Sequence, residues 1–157
     1  MADDIAGVVD AVRRHYDDGC FACGRDNPIG LHLDDFDLDD ARVSARFRPR
    51  AEYRGAGTTL HGGVAATALD EILVWAGILT EGVLTVTGNI GLRYRRPVHV
   101  TDSIVVFARV DERNGRRLQL SGELKVEGET RVEASGLYLV SATVAELLAG
   151  HSPSGPS

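Results

Sequence analysis

His61, Gly62, Gly63, Asp70 and Glu71 stand together in HGGVAATALDE, residues 61–71, and between them they could perform acyl-transfer or proton-transfer chemistry. Asp70 is the residue that most needs a reason. Aspartate is a mediocre helix former, yet here it sits among apolar neighbours on both sides. It lies about two turns beyond the glycines, too far for a helix macrodipole to act on it strongly. A carboxylate in apolar surroundings has its ionised form disfavoured, which raises its pKa toward the range of a general base. The alternative is that Asp70 faces a polar gap or pairs with Arg93 or Arg95. Glu71, about 100° further round a helix, is the rival acid and is expected at the surface or in an ion pair. Gly62 and Gly63 open the helix, where the first backbone N–H groups lack intrahelical partners. Amides bare of side chains can approach a developing oxyanion closely; the plainer reading is a tight turn into the helix.

Nine residues separate His61 from Asp70. On an α-helix that is about 900°, half a turn out of phase, and about 13 Å of rise. The two cannot converge on one small group from within one chain. If both serve one site, a second copy of the helix must supply the other half, so the spacing predicts a dimer with sites between subunits.

Residues 64–79 must position these groups. They are apolar apart from Thr67, Asp70, Glu71 and Gly77, which predicts a buried helix. At that length, with acids in its middle, the segment is too short and too acidic to span a bilayer. Around it, the chain reads mainly as strands. Residues 41–49 alternate, with Val43, Ala45 and Phe47 on one face, and Pro49 ends the run. In TVTGNIGLRYRRP, strict alternation puts Val86, Gly88, Ile90, Leu92 and Tyr94 on one face and Thr85, Thr87, Asn89, Arg93 and Arg95 on the other. Residues 103–110 are apolar on both faces at first, as for a strand in mid-sheet or under another subunit. Asn114-Gly115 signals a two-residue hairpin. Residues 117–126 turn Leu118, Leu120, Leu124 and Val126 inward, and 127–129 make a second turn into a last strand at 131–140. A helix at 3–16, capped by Asp3 or Asp4, precedes all this, and a short helix from Thr143 to Leu148 and a disordered tail follow. Short turns imply an antiparallel sheet, and one sheet curled about one apolar helix is the economical way to bury it. The fold class is α+β, with an N-terminal helix over 1–19, a central domain over 20–142 and a C-terminal segment over 143–157.

The 157 residues carry a net charge of −6, which argues against nucleic acid as the main partner. Sixteen of the 17 basic residues are arginine, so local anion sites remain open. MADDIAG lacks a basic and an apolar region and does not read as a signal peptide; a cytoplasmic location is expected. Cys20 and Cys23 form a lone C-x-x-C. Zinc needs about four ligands, and only His15 and His32 stand near in sequence, so a turn carrying two reduced thiols is expected rather than a metal site. Five aspartates at 34–40 lack the EF-hand order of ligands and are read as a solvated turn after a short strand at 31–38.

HGGVAATALDE followed by TGN-x-x-x-RYRRPV resembles the hotdog-fold acyl-CoA thioesterases of the PaaI type, and CFACGRDNPIGLHL is similar to a subset of that superfamily. The resemblance spans roughly residues 20–140. It implies an antiparallel sheet around one long helix, a homodimer whose two sheets join edge to edge (often a homotetramer), and hydrolysis of an acyl-CoA thioester without metal or organic cofactor. Carried over by position, Asp70 is the general base or nucleophile and Gly62 of the partner subunit binds the thioester carbonyl. His61 orders that loop, and Thr87 holds the water or the carboxylate. Gly63, Arg95, Arg96, Arg116 and Arg117 are candidate substrate contacts, the arginines for phosphate, with solvated surface as their alternative. Trp75 and Leu79 line an acyl pocket or simply the core. Several relatives carry Asn or Gln six residues before the histidine, where this chain has Gly55, with Thr58 or Thr59 as stand-ins. That departure keeps a non-catalytic acyl-CoA or acyl-carrier-protein binder as the rival reading, beside a hotdog hydratase or dehydratase, which the motif fits less well.

Overall fold

The computed structural model describes residues 2–150. Its elements run α1 (Ala2–His15), β1 (Asp34–Asp39), β2 (Arg42–Phe47), a single 3-10 turn (Ala51–Tyr53), α2 (Gly62–Glu81), β3 (Val83–Tyr94), β4 (Ile104–Asn114), β5 (Arg117–Val126), β6 (Glu129–Thr143) and α3 (Val144–Leu148). The strands form one antiparallel sheet in the order β1-β2-β4-β5-β6-β3. The expected tail falls mostly outside the described residues.

Helix α2 lies in the curl of this sheet. Ala65, Ala68, Leu69, Ile72, Leu73, Trp75, Ala76 and Ile78 are buried along it. They pack against Val43, Ala45 and Phe47 of β2, Ile104 and Val106 of β4, and Leu118, Leu120 and Leu124 of β5. The alternation read from the sequence holds in β2 and β5, and β4 takes the expected mid-sheet place. At 20 residues, α2 is longer than expected and has the length and hydropathy to cross a membrane. Enclosure by the sheet, not shortness, marks it as a core helix. Gly82, in the left-handed conformation at φ 65°, ends it and lets β3 turn back.

Three local expectations change. Helix α1 starts at Ala2, so Asp3 and Asp4 lie in its first turn instead of capping it. The aspartate run is itself strand β1, with Phe36 against the Trp75 ring at 4.7 Å and the acids outward; the turn sits at Asp40 and Ala41, both with positive φ. A row of charges on an edge strand discourages pairing with other chains. The β4–β5 hairpin loop is Gly115-Arg116, since Asn114 still pairs with Arg117. Glycine at φ +59° provides the left-handed residue this tight loop needs.

The largest correction concerns β3. Its register against β6 jumps from Thr87↔Tyr138 to Asn89↔Leu137, so Gly88 is an extra, bulged residue. A Cβ there would sit 2.9 Å from the Leu137 carbonyl oxygen, which favours glycine. The bulge moves the alternation by one. Thr85 and Thr87 therefore share the helix-facing side with Ile90, Leu92 and Tyr94, while Val86, expected on that side, is 53% exposed.

Residues 16–33 fold back across α2 and are anchored by Arg13, which is only 5% exposed. Its guanidinium donates to the carbonyls of Cys23 (2.9 Å) and Leu33 (2.7 Å) and lies 3.6 Å from the Asp34 carboxylate. Arg13→Met would leave two interior acceptors without donors, and an unmet buried acceptor costs about 1–3 kcal/mol. A loss of about 3 kcal/mol is expected by urea unfolding, with the exposed Arg14→Met within about 0.5 kcal/mol of wild type.

Candidate active site

His61 caps α2. Its Nδ1 accepts the Gly63 N–H at 2.9 Å, and its carbonyl accepts the N–H groups of Val64 and Ala65. Its own N–H donates to the Tyr53 carbonyl at 2.9 Å, tying the cap to the loop before it. Of the two glycine amides proposed to face a ligand, that of Gly63 is therefore already bound. The Gly62 N–H makes no hydrogen bond among the described residues, and Gly62 is exposed. Tyr94 of β3 donates its hydroxyl to the Gly62 carbonyl at 2.6 Å and so fixes the direction of that peptide.

Asp70 faces the sheet on the helix's other side. Its Oδ1 accepts two hydroxyls, Thr87 at 2.8 Å and Tyr138 at 2.7 Å. Its Oδ2 accepts none among the described residues. The apolar surroundings expected around Asp70 are thus replaced by two aimed donors. The alternative arginine pairing is also absent: Arg95 pairs with Glu133 at 2.9 Å. Both donors depend on the sheet, Thr87 through the Gly88 bulge and Tyr138 through its inward position on β6. The result is a carboxylate held in one orientation with one oxygen left to take a proton or contact a carbonyl.

Tyr138 was not singled out from the sequence. Its signal was a phenol at an inward position of an alternating strand, since a buried Tyr hydroxyl needs a partner. It is fully buried, and burial, followed by its hydrogen bond to Asp70, pushes the phenol well above its ordinary pKa. It therefore stays a donor at all working pH values. Tyr138→Phe is expected to cost about 1–2 kcal/mol in stability, read by thermal unfolding.

A cleft of about 380 Å³ opens beside the free Gly62 amide, lined by Thr59, Leu60, Gly62, Ala65, Arg95 and Arg96 among others. Arg96 also pairs with Glu129, at 3.4 Å. Arg116 lies elsewhere: it donates to the Val140 carbonyl, at the opposite end of the β3–β6 pair from Tyr94. Gly55 packs against His61, where an added Cβ would stand 3.4 Å from the His61 Cα. Thr58 bonds the His99 ring at 3.1 Å instead of facing the glycines. Trp75 is buried in the core.

Glu71 is not the surface or ion-paired acid expected. It faces residues 16–33 and accepts the Trp75 indole N–H at 2.9 Å and the Cys20 thiol at 3.8 Å. Burial, then the charge of the Cys20 sulfur, pushes its carboxyl up to about 7.

A family model described as Thioesterase superfamily matches residues 57–133, which hold α2, β3, β4, β5 and the start of β6. The bovine (Bos taurus) protein acyl-coenzyme A thioesterase THEM4 is 31% identical over 103 residues, covering 64% of this chain and 42% of that protein. The chain thus spans less than half the length of that curated relative. Among solved structures, a thioesterase superfamily protein aligns with a TM-score of 0.72 at 19% identity, covering 88% of this chain and 76% of that one. The E. coli PaaI protein from the phenylacetic acid degradation operon aligns at 0.65 with 17% identity, covering 72% and 83%. Residues 57–133 thus match the thioesterase superfamily, and the chain as a whole has the hotdog fold of these solved structures.

Proposed function

We propose that the protein hydrolyses an acyl-CoA thioester, with Asp70 of one subunit and the Gly62 amide of a second completing each site. The carrying observation is the pair of half-sites. Asp70 presents one unbonded oxygen beside Thr87, and Gly62 presents an unbonded N–H beside Tyr94, at two ends of the same edge strand. Seven residues of strand separate them, about 23 Å. Antiparallel pairing of β3 with β3 of a second copy, about a two-fold axis near Ile90, sets the second copy's Gly62 opposite Thr87 and Asp70. The two sheet edges differ in the way this requires: β1 is lined with aspartates, while Arg93 is the one charged residue in β3.

In that site, water held by Thr87 and Asp70 attacks the carbonyl carbon. Asp70 Oδ2 takes its proton, and the Gly62 N–H stabilises the oxyanion. The C–S bond then breaks, and CoA leaves as thiolate and is protonated. His61 keeps the Gly63 amide occupied and the helix start ordered, while Arg95 and Arg96 flank the cleft as contacts for CoA phosphates. No metal or organic cofactor takes part. The name of the bovine relative supports the acyl-CoA class. The test is the loss of thioester absorbance over short, long and aromatic acyl-CoAs. Turnover of none of them would remove the reading. One observation favours a second reading, a non-catalytic acyl-CoA or acyl-carrier-protein binder: no amide side chain stands at Gly55 beside His61. Saturable binding with no cleavage would identify it.

A further inference from the structure

Cys20, Cys23 and Glu71 form a cluster that thioester hydrolysis does not use. We propose that Cys20 Sγ, Cys23 Sγ and a Glu71 carboxylate oxygen bind one zinc-class divalent cation, with solvent as fourth ligand, pinning residues 16–33 to α2. The sequence offered only the two thiols, because the third ligand lies 51 residues beyond Cys20.

The ligand atoms all lie within 4.8 Å of one another. Tetrahedral zinc, with bonds of about 2.3 Å to sulfur and about 2.1 Å to oxygen, sets its ligands about 3.5–3.8 Å apart. Cys20 Sγ and Glu71 Oε1 are already 3.8 Å apart. The widest separation exceeds the tetrahedral spacing by about 1 Å at most.

The backbone of the turn is held from several sides. The Gly24 N–H closes it onto the Cys20 carbonyl at 2.8 Å. A Cβ on Gly24 would lie 2.3 Å from the Asp18 carbonyl oxygen and 2.5 Å from the Cys20 nitrogen, so only glycine fits. Phe21 and Ala22, between the cysteines, accept the N–H groups of Leu31 (2.8 Å) and Leu33 (2.9 Å), and Arg13 holds the Cys23 carbonyl. On α2, the Trp75 indole orients the Glu71 carboxylate, the kind of outer hydrogen bond that fixes a metal ligand's direction.

Charge points the same way. Three groups able to carry negative charge converge, and among the described residues no Lys, Arg or His pairs with Glu71. Two thiolates with one carboxylate suit zinc over magnesium or calcium, which prefer all-oxygen sites. Cys20, half-buried, is the side on which solvent completes the shell. Glu71 projects about 100° round α2 from Asp70, toward residues 16–33 while Asp70 faces β3 and β6, so the site holds the fold and does not enter the hydrolysis.

The test uses the full chain, reduced, stripped with a chelator and titrated with zinc against a chromophoric competitor. Wild type is expected to hold about one zinc per chain. Cys20→Ser and Cys23→Ser should each weaken it about 100-fold or more, and Glu71→Gln about 10- to 100-fold. Gln keeps an acceptor for Trp75, so that variant separates ligation from folding. Cobalt added to wild type should give sulfur-to-metal charge-transfer bands and strong tetrahedral d–d bands, a readout that needs no variant. Asp70→Asn should bind zinc like wild type, which keeps this result independent of the hydrolase reading. Reduced protein that retains less than about a tenth of an equivalent overturns the site, as does Glu71→Gln binding as tightly as wild type.

Discussion

Asp70→Asn is expected to lower thioester turnover by about a thousandfold or more, about 4 kcal/mol of transition-state stabilisation, with substrate binding retained. The substitution is nearly isosteric. An asparagine carbonyl in place of Oδ1 still accepts the Thr87 and Tyr138 hydroxyls, so the contacts between α2, β3 and β6 survive. The loss falls on the second oxygen, which becomes an amide NH2 and can neither accept a proton nor attack a carbonyl. Calorimetric binding of a thioether analogue should stay saturable with similar affinity, and the unfolding midpoint should move little. Wild-type turnover in this variant would remove Asp70 as base or nucleophile. A loss of binding together with turnover would mean that it positions substrate instead.

Gly62→Pro is expected to cost about 100-fold in turnover by deleting one backbone donor, and mixing it with Asp70→Asn should restore activity. Proline is favoured at the first position of a helix, where its missing N–H has no intrahelical partner anyway. The atoms nearest a Cβ at Gly62 belong to Tyr94, its ring and hydroxyl, at ordinary contact distances of 3.5–3.6 Å. The variant thus removes an amide hydrogen and little else. Each variant alone is impaired in both sites of a homodimer. In a mixed dimer with sites between subunits, one site combines the intact Asp70 of one chain with the intact Gly62 of the other. Equal mixing after subunit exchange should then recover about a quarter of wild-type turnover, since half the dimers are mixed and each has one good site. No recovery despite exchange, or a monomer at micromolar concentration by analytical ultracentrifugation, would sink the shared site.

Much of the site was legible because its parts are local. The run of apolar residues after His-Gly-Gly can only be a buried helix, and an acid inside such a run stands out against its neighbours. The spacing of His61 and Asp70 on one helix already separates them too far for a single-chain site. Strands β2 and β5 follow plain alternation because one face of each meets α2 and nothing interrupts the pleat. Strand β3 misled for one residue's sake. Gly88 bulges, and every side chain before it changes face relative to those after it, which is how Thr87 reaches Asp70 while Tyr94 reaches Gly62.

What the sequence determined by itself is the helix, the alternation of most strands and the presence of an acid inside the apolar run, all properties of residues within a few positions of one another. The tertiary structure alone decided the partners. It placed Tyr138, 68 residues from Asp70, on the same oxygen as Thr87. It left the Gly62 amide free while His61 took that of Gly63, and it carried Glu71 to the two cysteines. Those choices depend on strand order, one bulge and the path of residues 16–33, where contacts far apart in the chain compete for the same few donors and acceptors. No local pattern encodes the outcome of that competition.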